Sequence, residues 1–307
     1  MIGCCSRIVY SKRKESFMKI PGLRGINIIT LFKRTVTYYL ENDMLTYAAA
    51  LAFQALFSIF PFMIVLIALL GMLDMMHFFD WIRNQTALLL PGEAMAQVER
   101  VIDEVQQPRG GLISIGLIVA LWVASGAMRV TINALNVVYK VKDGRPFWKL
   151  YPLSILYTLC IAAMLIGAAV LMVLGPQVMT WMADQIGIGP VVVTLWTWFR
   201  LPIALALFMA SVAFVYYVAP NVEQKIRFIT PGSVLSVIVW IITSLGFGLY
   251  INNFADYSAV YGSIGAVIVL MMYFYISAAV LLFGAELNAV IEDYAPSGKN
   301  IGDKKFT

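Results

Sequence analysis

The chain is poor in charge. Asp, Glu, Lys and Arg make up 13% of its 307 residues, while 61% are hydrophobic. That is about half the charged share of a soluble domain, so a water-soluble globule is excluded. Histidine occurs once, as His77, and no His-rich metal motif can be built from it. Cysteine occurs three times, as Cys4, Cys5 and Cys160. Two are adjacent in a basic tail and one sits in an apolar run, a pattern that offers neither a disulfide framework nor a zinc spacing. Cys4 and Cys5 read as part of an unstructured tail, or as acylation points. Phosphate-binding loops, Gly-x-Ser-x-Gly elbows and Cys-x-x-Cys pairs are missing. Hydrolytic chemistry needs a nucleophile with its base, or a metal with protein ligands. Asp74 and His77 alone make neither. The expectation is a non-enzymatic protein with no catalytic residue, no metal and no cofactor. A net charge of +5 spread among apolar runs gives no nucleic-acid patch. No cleavable signal peptide is expected, because the basic opening lacks a compact apolar core.

What fills the sequence is oil. Six uncharged runs, at about 46–73, 112–128, 152–175, 201–219, 232–251 and 263–285, approach or reach the length needed to cross a hydrocarbon core of roughly 30 Å. The fold class is therefore all-α, a polytopic bundle of six transmembrane helices. An even count puts both termini on one side. That side, with the tail and the 129–149 and 220–230 loops, holds 18 of the 22 Lys and Arg residues. Basic loops stay inside, so both termini are expected in the cytoplasm. Residues 1–40 form a basic tail with an interfacial helix at 31–40, residues 41–290 the membrane domain, and residues 291–307 a cytoplasmic tail. Asn42 or Asp43 is expected to cap the first span. On the outer side, 74–110 reads as a hairpin of short amphipathic helices, 81–90 and 93–107. Pro152, Pro202 and Pro231 are expected to open spans, where a missing N–H costs least.

Polar residues within apolar helices are the natural site candidates. Tyr47, Gln54, Ser58 and Pro61 fall on one face of the first span, with Pro61 expected to kink it and Ser58 to re-satisfy freed backbone. Trp122, Ser125, Arg129, Asn133 and Asn136 stripe the second span and a helical continuation ending near Tyr139. Arg129 and Glu286 are expected at the same inner level, hence an ion pair between the second and sixth spans. The seam Ser233, Ser236, Trp240, Thr243 and Tyr250 suggests close packing of the fifth span. Tyr261, Glu286 and Asn288 bracket the sixth. The expectation is a weakly polar cleft between spans one, two, five and six. It would be lined by Tyr47, Gln54, Ser58, Pro61, Ser125, Arg129, Asn133, Asn136, Tyr261, Glu286 and Asn288, with spans three and four facing lipid. Each stripe also reads as ordinary helix packing.

Three blocks carry a resemblance: YAAALAFQALFSIFPFMIVLIALLG (47–71), LWVASGAMRVTINALNVVYKVKDGRPFWK (121–149) and residues 231–289. They resemble the YihY/virulence factor BrkB family of six-span inner-membrane proteins. The matching positions are Tyr47, Pro61, Asn133, Asn136, Tyr139, Arg145, Pro146, Tyr261, Gly262, Gly265, Gly284, Glu286 and Asn288. The MMYFY stretch at 271–275 departs from the pattern, where many members have Trp. The resemblance implies a helical bundle in the bacterial plasma membrane and a transport or lipid-handling role in the cell envelope. The expected partners are membrane lipids and an amphiphilic or anionic substrate. The alternative is a scaffold that docks an envelope partner through 74–110. Some members carry a ribonuclease label, but this chain lacks the His/Asp cluster a metal-dependent nuclease needs.

Overall fold

A computed structural model describes residues 27–72, 110–173, 190–222, 230–253 and 257–294, with three single positions between 174 and 189. Seven helices and no β-strand occur among the described residues: α1 (Ile28–Glu41), α2 (Met44–Met72), α3 (Gly110–Val138), α4 (Phe147–Val173), α5 (Pro190–Val218), α6 (Pro231–Asn253) and α7 (Tyr257–Asp293). The basic tail, the outer hairpin short of Gly110, and residues 295–307 lie outside them. Among the described residues, five helical stretches are long and apolar enough to cross a membrane: Ile118–Val138, Phe147–Met172, Thr194–Val218, Pro231–Ile251 and Val267–Asp293. In α2 the described side chains give a shorter apolar stretch, Met44–Ile59.

The long helices close a ring. α2 packs on α3, α3 on α4, α4 on α5, α5 on α6, α6 on α7, and α7 returns to α2 while also touching α3. The outside of the ring is oily in a way no soluble protein tolerates. On α6 alone Ile238, Ile242, Leu245 and Leu249 repeat at helical spacing and are all exposed. The buried core instead collects small residues and hydroxyls: Ala48, Ala52, Ser125, Ala134, Ala213, Ser236 and Ala285. Small side chains let helix backbones approach when lipid outside is as apolar as any core residue. The tightest approach joins α6 to α7. A Cβ on Gly284 would strike Ser236 Oγ, the Gly232 carbonyl and Tyr216 Oη, and one on Gly232 would strike the Gly284 carbonyl.

α1 is amphipathic and lies along α7 and α2. Leu31, Thr35 and Tyr39, one turn apart, are its buried stripe. Tyr39 packs edge-on to Phe283 and its hydroxyl donates to the Ala279 carbonyl at 3.2 Å. Burial first, then Tyr275 and Glu286, push this phenol up to about 12, so it remains a donor at any physiological pH. Lys33 and Arg34 are exposed.

Several sequence expectations shift here. Pro231 does open α6, but Pro152 and Pro202 lie inside α4 and α5, because those helices start well before their uncharged runs. α2 continues unbroken through Pro61. α3 outlasts its apolar run, as expected, and ends at Val138. There Lys140 takes the left-handed conformation (φ 55°), with Lys140 N–H bonded to the Val137 carbonyl and Val141 N–H to that of Asn136. This double bond pattern satisfies the last carbonyls of the helix.

Candidate functional site

The sequence candidates converge on no common cleft. They divide between a set of interhelical locks and a few isolated positions. Asn42, between α1 and α2, gives its side-chain amide to both oxygens of Glu286 at 3.1 and 3.2 Å. Glu286 is 1% exposed and takes Asn42 as its donor; of the two residues expected to cap the first span it is Asp43 that directly precedes α2, its carbonyl accepting the Thr46 and Tyr47 N–H groups. Asn288, two residues on, locks the start of α6. Its carbonyl oxygen accepts the Gly232 N–H at 2.7 Å and its amide donates to Thr230 Oγ1 at 2.9 Å. Thr230 is itself the cap of α6, exchanging hydrogen bonds with Ser233. Asn136 Oδ1 accepts the Asn221 N–H at 2.7 Å, and Asn221 Oδ1 accepts Arg145 Nε at 3.3 Å. Arg145 also meets Asp143 at 3.9 Å and the Ala219 carbonyl at 3.5 Å. Loop 139–149 is thereby fastened to the end of α5.

The remaining candidates act locally. Gln54 donates to the Val123 carbonyl at 2.6 Å and fills the space a Cβ on Gly126 would take, joining α2 to α3. Ser58 donates to the Ala55 carbonyl at 2.8 Å rather than to the carbonyl of Phe57 freed by Pro61. Tyr47 is half-buried against the core, and Asn133 is exposed. The Tyr261 side chain lies outside the described residues.

The expected Arg129–Glu286 ion pair is absent. Arg129 turns to α4, where Nη1 donates to Ser125 Oγ at 2.6 Å and reaches Ser154 Oγ at 3.5 Å. Its Cζ lies 4.5 Å from the Tyr151 ring centroid and 5.8 Å from that of Trp122. A helical side chain leans back toward its own N-terminus, which aims Arg129 at Ser125 and away from the end where Glu286 sits.

One feature inside the ring escaped the sequence reading. A cavity of about 410 Å³ is walled by all six long helices: Leu51 and Ala55 on α2, Ala127 and Thr131 on α3, Ile161 and Leu165 on α4, Phe208 to Val215 on α5, Ser236 to Trp240 on α6, and Phe274 to Leu281 on α7. None of the ten candidates whose side chains are described lines it. Spans three and four, expected to face only lipid, supply a third of its wall. Its four hydroxyls are already engaged. Thr131 donates to the Ala127 carbonyl, Ser211 to that of Phe208 and Ser236 to that of Val280, while Ser277 accepts from Trp240 Nε1 at 3.2 Å. The wall therefore offers a guest almost nothing but carbon. Among the described residues no three His, Cys, Asp or Glu side chains come together. A signal was present in the sequence: Phe208, Trp240 and Phe274 are bulky rings on three helices, each within four residues of a serine.

Comparison with known proteins bears on what such a ring is. The family profile for virulence factor BrkB matches residues 35–305. The chain belongs to that family. Its BrkB-family relatives include the ribonuclease-like protein YfkH of Bacillus subtilis, 33% identical over 264 residues, covering 86% of this chain and 95% of YfkH. A membrane protein of Chromohalobacter salexigens is 28% identical over 285 residues, covering 89% of this chain and 66% of the relative. One of Xanthomonas campestris is 25% identical over 268 residues, covering 81% and 57%. The chain thus spans about two thirds of the first of these two and little more than half of the second. No solved structure matches this BrkB-family fold. With its apolar helices, the chain is a bacterial membrane protein.

Proposed function

We propose that this BrkB-family protein handles lipid in the plasma membrane, holding the hydrocarbon chain of an amphiphile inside a ring of six membrane-spanning helices. Both termini then face the cytoplasm, where 18 of the 22 Lys and Arg residues belong. The observation that carries the reading is the cavity of about 410 Å³ whose hydroxyls are all engaged. Its volume falls in the roughly 300–1,000 Å³ range of small-molecule sites. A polar solute would lose its hydration there without replacement hydrogen bonds, costing roughly 1–3 kcal/mol per group. A hydrocarbon chain loses nothing. The function so read is binding and passage without covalent chemistry.

Ala278→Phe tests it by filling the cavity from α7. In native mass spectrometry of detergent-purified protein, the unaltered chain is expected to retain diacyl lipid and the variant to lose it, with melting temperatures only a few degrees apart. Equal retention by both would overturn the reading.

A further inference from the structure

Arg129 is a charge without a counter-charge. No carboxylate comes within ion-pair distance of it among the described residues. Its protein contacts are two serine hydroxyls and two aromatic rings. A guanidinium carries five N–H donors, and only Nη1 finds protein acceptors here. Arg129 is only partly buried, and no hydrogen bond from its Nε or Nη2 occurs among the described residues. The charge sits within a helix that crosses the membrane, beside Trp122, which is 54% exposed on the outside of the ring. Ala127 and Thr131 flank Arg129 on α3 and face the cavity, but Arg129 itself does not.

An uncompensated cation in such a place costs about 2.5–3.5 kcal/mol or more, depending on depth. Snorkelling would relieve that cost, but the side chain leans the other way, toward Ser125. Cation–π contacts with Trp122 and Tyr151 return part of the cost. They leave the charge itself unneutralised.

We propose that the groove between α3 and α4 at Arg129 binds the phosphate of a membrane phospholipid. Arg129 supplies the fork-shaped donor that suits phosphate oxygens, and the buried Ser154, whose hydroxyl donates to the Tyr151 carbonyl at 2.7 Å, helps hold Nη1 in place. The proposal rests on the lipid-handling reading and names the substrate class. From Ser154, α4 runs on away from the 139–146 loop to the cavity wall: Ile161 is about 10 Å further along the helix and Leu165 about 16 Å. One leaflet's chains span about 15 Å, half of the hydrocarbon core. A lipid anchored by its phosphate at Arg129 can therefore place its chain ends where α4 meets the cavity.

The test compares two lipids with the same chains, one bearing phosphate. Full-length protein is incubated with dioleoyl phosphatidylglycerol or dioleoylglycerol in detergent, and bound lipid is counted by native mass spectrometry. The unaltered protein is expected to prefer the phospholipid at least tenfold. Arg129→Gln is expected to abolish that preference while still binding both lipids. Ser154→Ala, which leaves the helix intact, is expected to weaken it severalfold and provides the reading should Arg129→Gln not fold. No preference in the unaltered protein, or a preference undiminished in both variants, overturns the proposal. Displacement of the phospholipid by equimolar inorganic phosphate also overturns it, assigning the groove to a free oxyanion. The Ala278→Phe variant separates this proposal from the cavity reading. Retention lost in Ala278→Phe without any Arg129-dependent preference leaves only the cavity. An Arg129-dependent preference that Ala278→Phe does not disturb leaves only the groove.

Discussion

One end of the bundle and its middle are built on opposite principles. At the end where α3 stops and α6 begins, polar side chains bind each other and the backbone: Glu286 to Asn42, Asn288 to Gly232 and Thr230, Asn136 to Asn221 and on to Arg145. In the middle, the helices part around a cavity whose few hydroxyls are turned back onto their own or neighbouring helices. The end is specific and rigid because each of its bonds has one geometry. The middle is adaptable because contact between hydrocarbon surfaces is non-directional. Conspicuous polar residues in an oily chain need not mark the path of a substrate; in this molecule they mark joints between helices.

The largest effect should come from the joint itself. Gly284→Leu drives a side chain into Ser236, Gly232 and Tyr216 at the α6–α7 contact, and overpacking of this kind costs about 3 kcal/mol or more. Purified variant should be recovered poorly, or melt far below the parent in detergent. Next, Glu286→Ala strands the Asn42 amide and should cost about 1–3 kcal/mol, while Glu286→Gln keeps an acceptor and should cost less. Thermal unfolding in detergent would show the order, and a Gln variant as weak as the Ala variant would break the comparison. The cavity should respond the other way round. Ala278→Phe fills empty space, so it should shift stability by only about 1 kcal/mol while removing bound lipid. The smallest effect belongs to Asn133→Ala. Asn133 is exposed and outside both regions, so its change should stay within about 0.5 kcal/mol and leave lipid retention intact.

Much of the architecture was legible from hydropathy alone. Apolar runs gave the long helices, and the period of α3 extended it correctly beyond its apolar part to Val138. Helix starts at Phe147 and Pro190 were hidden because Lys149 and Arg200 interrupt the uncharged runs inside the helices, so composition placed the boundary too late. The site was less legible, for a physical reason. A stripe on one helix shows which residues share a face but not which neighbour that face meets. Arg129 and Glu286 stood at similar depth in the sequence reading. Their partners turned out to be α4 for one and the α1–α2 corner for the other. Apart from three rings near serines, the cavity left little trace, because its wall is made of the residue types that fill any membrane helix. It exists only through the way six helices are arranged.

The most direct measurement uses a phospholipid with a photoreactive group midway along one acyl chain. After irradiation of the protein in lipid bilayers, peptide mapping reports which side chains met the chain. Adducts on Leu165, Phe208, Trp240 or Phe274, lost in Ala278→Phe, are the predicted result. Adducts confined to the outward stripe Ile238, Ile242, Leu245 and Leu249, unchanged in that variant, would show that hydrocarbon only surrounds the ring and never enters it.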